Sequence, residues 1–286
     1  MADEVDSLVQ EFHLLKCSSL QPVVDRSEPV YITHATIGQE TKALATGETS
    51  GNVRICELEN MTQQKVLGLS FDLAHKNNIT GLEFSKANEK LLWTSSSCSI
   101  MNCWDLRGSC ERPVQKLTSP NSSPYTCCGV GCDGDIVAGA TEPTGDDVCL
   151  YVWDVRSPNP IFTSIFTDSH KEDITQIKFH PRRSKHMASC STDGLVCLFD
   201  VSHAEEDDAL QFVFNSGSSV GRIGFYADRY NKLFCITHIE TLQLWDINEV
   251  RSSTSDTFIK MTWQLSENVL SDKDNQGCRH KDISKN

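Results

Sequence analysis

Apolar and polar positions alternate in short runs along this chain, and each run stops at turn residues instead of continuing into a helical period. In one stretch ITQIKFH alternates, HMASCS follows the turn PRRSK, and GLVCLFDV follows Thr192-Asp193-Gly194. An Asp-Gly step between two apolar runs predicts a hairpin. ALQFVFNSG (Ala209–Gly217) then supplies a fourth, edge-like strand. No convincing amphipathic helix interrupts the series, so the pattern predicts an all-β chain built from four-stranded units.

The units repeat. Three strands end alike, in NCWDLR, CLYVWDVR and LQLWDI, and aligning on that ending gives five closing pairs. They are Cys56-Glu57, Trp104-Asp105, Trp153-Asp154, Phe199-Asp200 and Trp245-Asp246, at intervals of 48, 49, 46 and 46 residues. A second mark keeps the same phase. Ile79-x-x-Leu82-x-Phe84, Ile174-x-x-Ile177-x-Phe179 and Val220-x-x-Ile223-x-Phe225 each begin 25 residues before their own Trp or Phe. Looser copies begin at Val30 and Tyr125. Four antiparallel strands at this period describe a β-propeller blade.

From Glu28 to Ile247 the chain resembles the WD-repeat family, whose repeats end in Trp-Asp. The resemblance implies a propeller with about seven blades, of which five are recognisable here. It also implies a polar chain within each blade, running from the Trp indole to a Ser or Thr hydroxyl, then to a His and to a turn Asp. No unit shows all four members. In the second, His75 lies 29 residues before Trp104 with Thr94 or Ser95 between them, but the turn reads Ser97-Cys98-Ser99. In the fourth, His170, Ser189 or Ser191, and Asp193 are present, but Phe199 cannot donate. The fifth has Trp245 and Thr237, with Ser216 at the His offset, and the first has Cys56 in place of Trp. These blades are expected to rely more on apolar packing and on their neighbours.

The organisation expected is an acidic segment over 1–10, a propeller over 11–263 and a polar, disordered tail over 264–286. The blades fall at about 28–70, 75–118, 124–167, 170–217 and 218–263. EFHLLKCSSL (Glu11–Leu20) reads as a lone strand ahead of the first blade, and TFIKMTW (Thr257–Trp263) as one more strand after Ile247. The composition change at Gln264 favours a shortened form of a longer chain over a genuine five-bladed ring.

Composition narrows the function. A formal net charge of −13 weighs against a general nucleic-acid binder and against adhesion to anionic membranes. The start, MADEVDSLVQEF, has no apolar signal region, and no run approaches a membrane span. An intracellular chain is expected, cytoplasmic or nuclear, with its 13 cysteines as buried free thiols. There is no Cys-x-x-Cys, no phosphate loop and no nucleophile–base motif. The carboxylates of Asp146-Asp147 and Glu205-Glu206-Asp207-Asp208 read as solvated loop charge. No catalytic, cofactor or metal residue is assigned.

Binding of other proteins remains. Two units end in Asp-x-Arg, at Arg107 and Arg156, which resembles the box of WD-repeat substrate receptors of cullin-RING ubiquitin ligases. The resemblance implies docking onto the ligase adaptor through those arginines. Ile136-Val137, Ala138-Gly139-Ala140, Glu142, Leu150 and Val152 fit that box in the third unit, with a longer turn before Leu150. Ordinary surface ion pairing is the plain alternative. The expectation is a non-catalytic interaction scaffold, with a ligase substrate receptor and a reader of a basic peptide or histone tail as the other readings.

Overall fold

The computed structural model describes residues 29–58, 75–108, 110, 112–145, 147–157, 159–247 and 261–264. The expected acidic segment, the lone strand at Glu11–Leu20 and the tail beyond 264 lie outside these residues. Contacts divide the chain into Met1–Val30 and Tyr31–Asn286, and the second unit holds every described sheet.

Each recognised unit folds as one antiparallel meander. The first sheet is β1 (Ile32–Gly38), β2 (Ala43–Glu48) and β3 (Val53–Glu57). The second is β4 (Ile79–Phe84), β5 (Leu91–Ser96), β6 (Ile100–Asp105) and β7 (Gln115–Thr118). The third is β8 (Tyr125–Val130), β9 (Ile136–Thr141), β10 (Leu150–Asp154) and β11 (Ile161–Phe166). The fourth is β12 (Ile174–Phe179), β13 (His186–Ser191), β14 (Leu195–Asp200) and β15 (Leu210–Asn215). The fifth is β16 (Val220–Tyr226), β17 (Lys232–Thr237), β18 (Thr241–Asp246) and β19 (Met261–Gln264). A single helical turn, α1 (Glu206–Ala209), precedes β15. The result is a β-propeller arrangement of five blades, mostly four-stranded.

The strands follow from the sequence through their turns. Between the second and third strands of four blades, one turn position is left-handed, filled by Gly51, Ser99, Gly194 and Glu240 with φ of 84°, 65°, 84° and 60°. A tight three-residue hairpin loop needs that conformation, which glycine adopts without steric cost. At Gly194 a Cβ would also approach the Ser218 carbonyl oxygen to 3.2 Å.

The first strands of successive blades pack against one another in order, β1 on β4, β4 on β8, β8 on β12 and β12 on β16. The apolar core is correspondingly layered, with one cluster between each pair of neighbouring blades. Each buried Val, Leu, Ile or Phe contributes about 1.5–3 kcal/mol by leaving water, so a blade is held mainly by its neighbours.

A polar device repeats at the same place. In all five blades the ladder between first and second strands slips after the first residue, at Ile32/His34, Ile79/Gly81, Tyr125/Cys127, Ile174/Gln176 and Val220/Arg222. Such a bulge frees one residue from the ladder and re-aims its side chain. The freed residues are Thr33, Thr80, Thr126, Thr175 and Gly221. Three of the threonines donate to the first backbone carbonyl of the next blade, Thr33 to Ile79 at 2.8 Å, Thr126 to Ile174 at 2.9 Å and Thr175 to Val220 at 2.7 Å. Thr80 instead pairs with Ser95 of its own blade at 3.2 Å. The Thr33 bond also sets the phase of the first blade, which begins at Ile32 and not at Val30 as its looser sequence copy suggested.

Candidate functional site

The polar chain expected inside each blade depends on one register position, two residues beyond the partner of the closing aromatic. In the second blade that residue is Thr94, since Trp104 pairs with Leu92. Its hydroxyl accepts the Trp104 indole N–H at 3.0 Å and meets His75 Nε2 at 2.7 Å. His75 Nδ1 reaches Cys98 Sγ at 3.4 Å, so a thiol stands where the turn Asp was expected. Burial, helped by Lys116, holds the His75 ring down to about 4, which keeps it neutral.

In the fourth blade Ser189 holds the same register opposite Phe199. His170 Nδ1 donates to the Asp193 carboxylate at 3.1 Å, so its Nε2 accepts the Ser189 hydroxyl proton at 2.7 Å. Burial works to raise the Asp193 carboxyl, but the His170 ring and the N–H groups of Lys171 and Leu195 outweigh it and hold the group down. Ser95 and Ser191, the alternatives read from sequence, bond elsewhere, Ser191 to the Glu172 carbonyl.

The other blades lack the chain for a visible reason. Gly139 occupies the register opposite Trp153 in the third, and a Cβ there would lie 2.8 Å from the Tyr125 ring. The Trp153 indole nitrogen and the Tyr125 hydroxyl are both buried, and they lie against each other in place of that chain. In the fifth blade the register residue is Cys235, which corrects the sequence assignment of Thr237. Thr237 closes its own hairpin, bonding Thr241 at 2.6 Å. Aromatic stacking stands in for the missing bonds. Phe199 stacks on Phe166 and Trp245 on Phe214, each pair with centroids 5.0 Å apart.

The two arginines singled out in sequence lie just beyond the third strands of the second and third blades. Both side chains are exposed, at 60% for Arg107 and 66% for Arg156. Each folds back on the Asp two residues earlier. Arg107 Nε and Nη2 donate to the two Asp105 oxygens at 2.9 and 2.6 Å. Arg156 makes the same fork onto Asp154, with Nε 3.0 Å from each oxygen. Backbone N–H groups of both arginines complete the clasp. The guanidinium bonds hold both Asp carboxyls down to about 2. The forks thus already serve an internal partner, where the sequence suggested arginines open to recognition.

Comparison with known proteins agrees with this geometry. The family description "WD domain, G-beta repeat" matches residues 161–200, the stretch from β11 through β14 that contains His170, Ser189, Asp193, Phe199 and Asp200. That stretch is similar to a WD repeat. The chain is 27% identical to WD repeat-containing protein 89 homolog of Dictyostelium discoideum over 89% of this chain and 68% of that protein. It is 32% identical to WD repeat-containing protein GTS1 of Arabidopsis thaliana over 60% of this chain, and spans 43% of that protein. Among solved structures it resembles the Cps50 (Swd1) β-propeller domain of Myceliophteria thermophila, with TM-score 0.64 and 16% identity over 83% of this chain and 73% of that one.

Two carboxylates of this chain do more than the sequence indicated. Glu206, read as solvated charge, accepts N–H groups of Thr167 at 2.6 Å, Asp168 at 3.1 Å and Ser169 at 2.7 Å. Glu89 does the same for Gln39, Glu40 and Thr41 of the preceding blade at 2.9, 2.7 and 3.0 Å. Both fill backbone nests and tie blades together. Among the described residues no cluster of His, Cys, Asp or Glu could hold a metal, and the described cysteines are free thiols. Burial pushes Cys103, Cys128 and Cys190 up to about 12, so they are poor nucleophiles. No described helix is long and apolar enough to cross a membrane.

Proposed function

We propose that this WD-repeat chain is a non-catalytic protein-interaction scaffold. The observation that carries the reading is the way successive blades are locked by bulge threonines, carboxylate nests and apolar layers. Such locking presents the strand ends as a rigid surface, which lowers the ordering cost of binding a partner. Likeness to WD repeat-containing protein 89 homolog over 89% of the chain supports placing it in that protein's group.

The second reading, docking of a cullin-RING ligase adaptor through Arg107 and Arg156, draws support from one feature. Adjacent blades carry the same Asp-x-Arg clasp at the same strand end, leaving an outer guanidinium edge exposed on each. A basic tail reader is less supported. Glu83 is the one carboxylate on the described first strands, and Lys178 holds it at 3.2 Å.

Affinity purification from cells, comparing the intact chain with the Arg107→Ala/Arg156→Ala variant, tests both. Recovery of the ligase adaptor by the intact chain alone supports the receptor reading. A shared set of partners without the adaptor leaves the scaffold and removes the receptor. No protein recovered above the bait-free control would overturn the scaffold itself.

A further inference from the structure

A cleft of about 140 Å³ opens between the fourth and fifth blades, close in volume to a cavity of about 150 Å³ that holds a benzene ring. Arg183 and Arg229 line it, together with Phe212, Tyr230, His180 and Gln211, and no Asp or Glu does. Neither arginine is in a salt bridge among the described residues. The two guanidiniums beside aromatic walls make a locally positive site in a chain of net charge −13. From this cleft we infer a docking site for an acidic peptide segment, with an apolar side chain inserted between the blades and carboxylates on Arg183 and Arg229.

The site is built before any partner arrives. His180 is buried at 6% exposure, and its Nδ1 accepts the N–H groups of Arg182 and Arg183 at 3.1 and 3.0 Å. Its ring meets the edges of Phe225 and Tyr230, with centroids 5.1 and 6.1 Å away. The Arg182 guanidinium lies 5.3 Å over the Tyr230 ring, a cation–π contact that pins one wall. The turn before β13 and the turn before β17 are therefore fixed to each other through His180 and Tyr230. Arg183 and Arg229 project from those turns, and both are exposed. Asp200, at the end of β14, is occupied by the Ser202 hydroxyl at 2.6 Å and lies 4.0 Å from His186. Overall negative charge repels an acidic peptide from most of this molecule, so binding must come from the local pair of forks.

The inference rests on the scaffold reading but not on Arg107 or Arg156. The test uses the 286-residue chain and fluorescein-labelled synthetic peptides followed by fluorescence anisotropy. One peptide is rich in Asp and Glu around a single Leu, a second replaces the acids with Asn and Gln, and a third replaces the Leu with Ser. The acidic Leu peptide is expected to bind at least about tenfold more tightly than either relative, the scale of one charge-assisted contact. Arg183→Ala/Arg229→Ala is expected to abolish that preference at unchanged thermal stability, and Arg183→Lys/Arg229→Lys to retain part of it. Arg107→Ala/Arg156→Ala is expected to leave it intact. Equal binding of all three peptides, or full binding by the Arg183→Ala/Arg229→Ala chain, overturns the site. The scaffold reading would survive that result, because the cellular purification decides it separately.

Discussion

Thr94 accepts the Trp104 indole N–H and contacts the His75 ring through one oxygen, so removing that oxygen strands two buried groups. Thr94→Val is expected to cost about 2–6 kcal/mol, at about 1–3 kcal/mol for each unsatisfied group. Ser189→Ala strands only the His170 nitrogen, because Phe199 has no N–H, and is expected to cost about half as much. Urea unfolding of both variants measures this, and equal losses would mean that the Trp104 bond contributes nothing. A pH effect belongs to the same chain. Burial lowers His75 from the usual 6.5 to about 4, so the unfolded chain binds a proton there before the folded one does. The stability His75 contributes is complete above about pH 6.5 and is lost as pH falls toward 4. Melting temperature should fall across that window, and His75→Asn should flatten the slope. Of these residues, His75, Trp104, His170 and Asp193 were legible in the sequence at their offsets. The hydroxyl was ambiguous, because Thr94 and Ser95 are neighbours on opposite faces of one strand, while Ser189 and Ser191 share a face two residues apart. Only the register separates them, and the same register exposed Thr237 as the wrong choice in the fifth blade.

At the scale of elements, the strands were readable because alternation and turn residues agree in every blade, as in β12 through β15 around Asp193-Gly194. The bulge threonines were present in the sequence too, in ITHATIG, ITGLEF, YTCCGV and ITQIKF. Nothing local marks them, since a Thr in a strand is ordinary, and their role exists only when the next blade brings a carbonyl within 3 Å. Thr126→Val and Thr175→Val should therefore each lower stability by about 0.5–1.5 kcal/mol, the net worth of one hydrogen bond. The same change at Thr80, whose hydroxyl stays within its own blade, should not loosen its neighbour. Amide hydrogen exchange distinguishes the two. Faster exchange in β12 for Thr126→Val and in β16 for Thr175→Val, with no such change in β8 for Thr80→Val, is the expected pattern. Uniform exchange in all three would show that the bulge hydroxyls do not couple blades.

At the scale of the whole array, a contact between described residues skips a blade. Lys178 on β12 reaches Glu83 on β4, 3.2 Å away, past β8 of the blade between them. Glu83 raises the Lys178 ammonium above its usual range. Glu83 is nearly enclosed while about a third of the Lys178 side chain, 35%, remains exposed. The solvent on that side screens the attraction, and the coupling should be on the order of 1–2 kcal/mol, below that of a fully buried pair. A double-mutant cycle with Glu83→Gln and Lys178→Met isolates it. Each single change should cost more than the pair of changes together, because each leaves one charge behind without its counter-ion. If the two single losses simply add, β4 and β12 are not held together across the third blade. The first strands would then form a chain of nearest-neighbour contacts only, as the apolar layers between successive blades do.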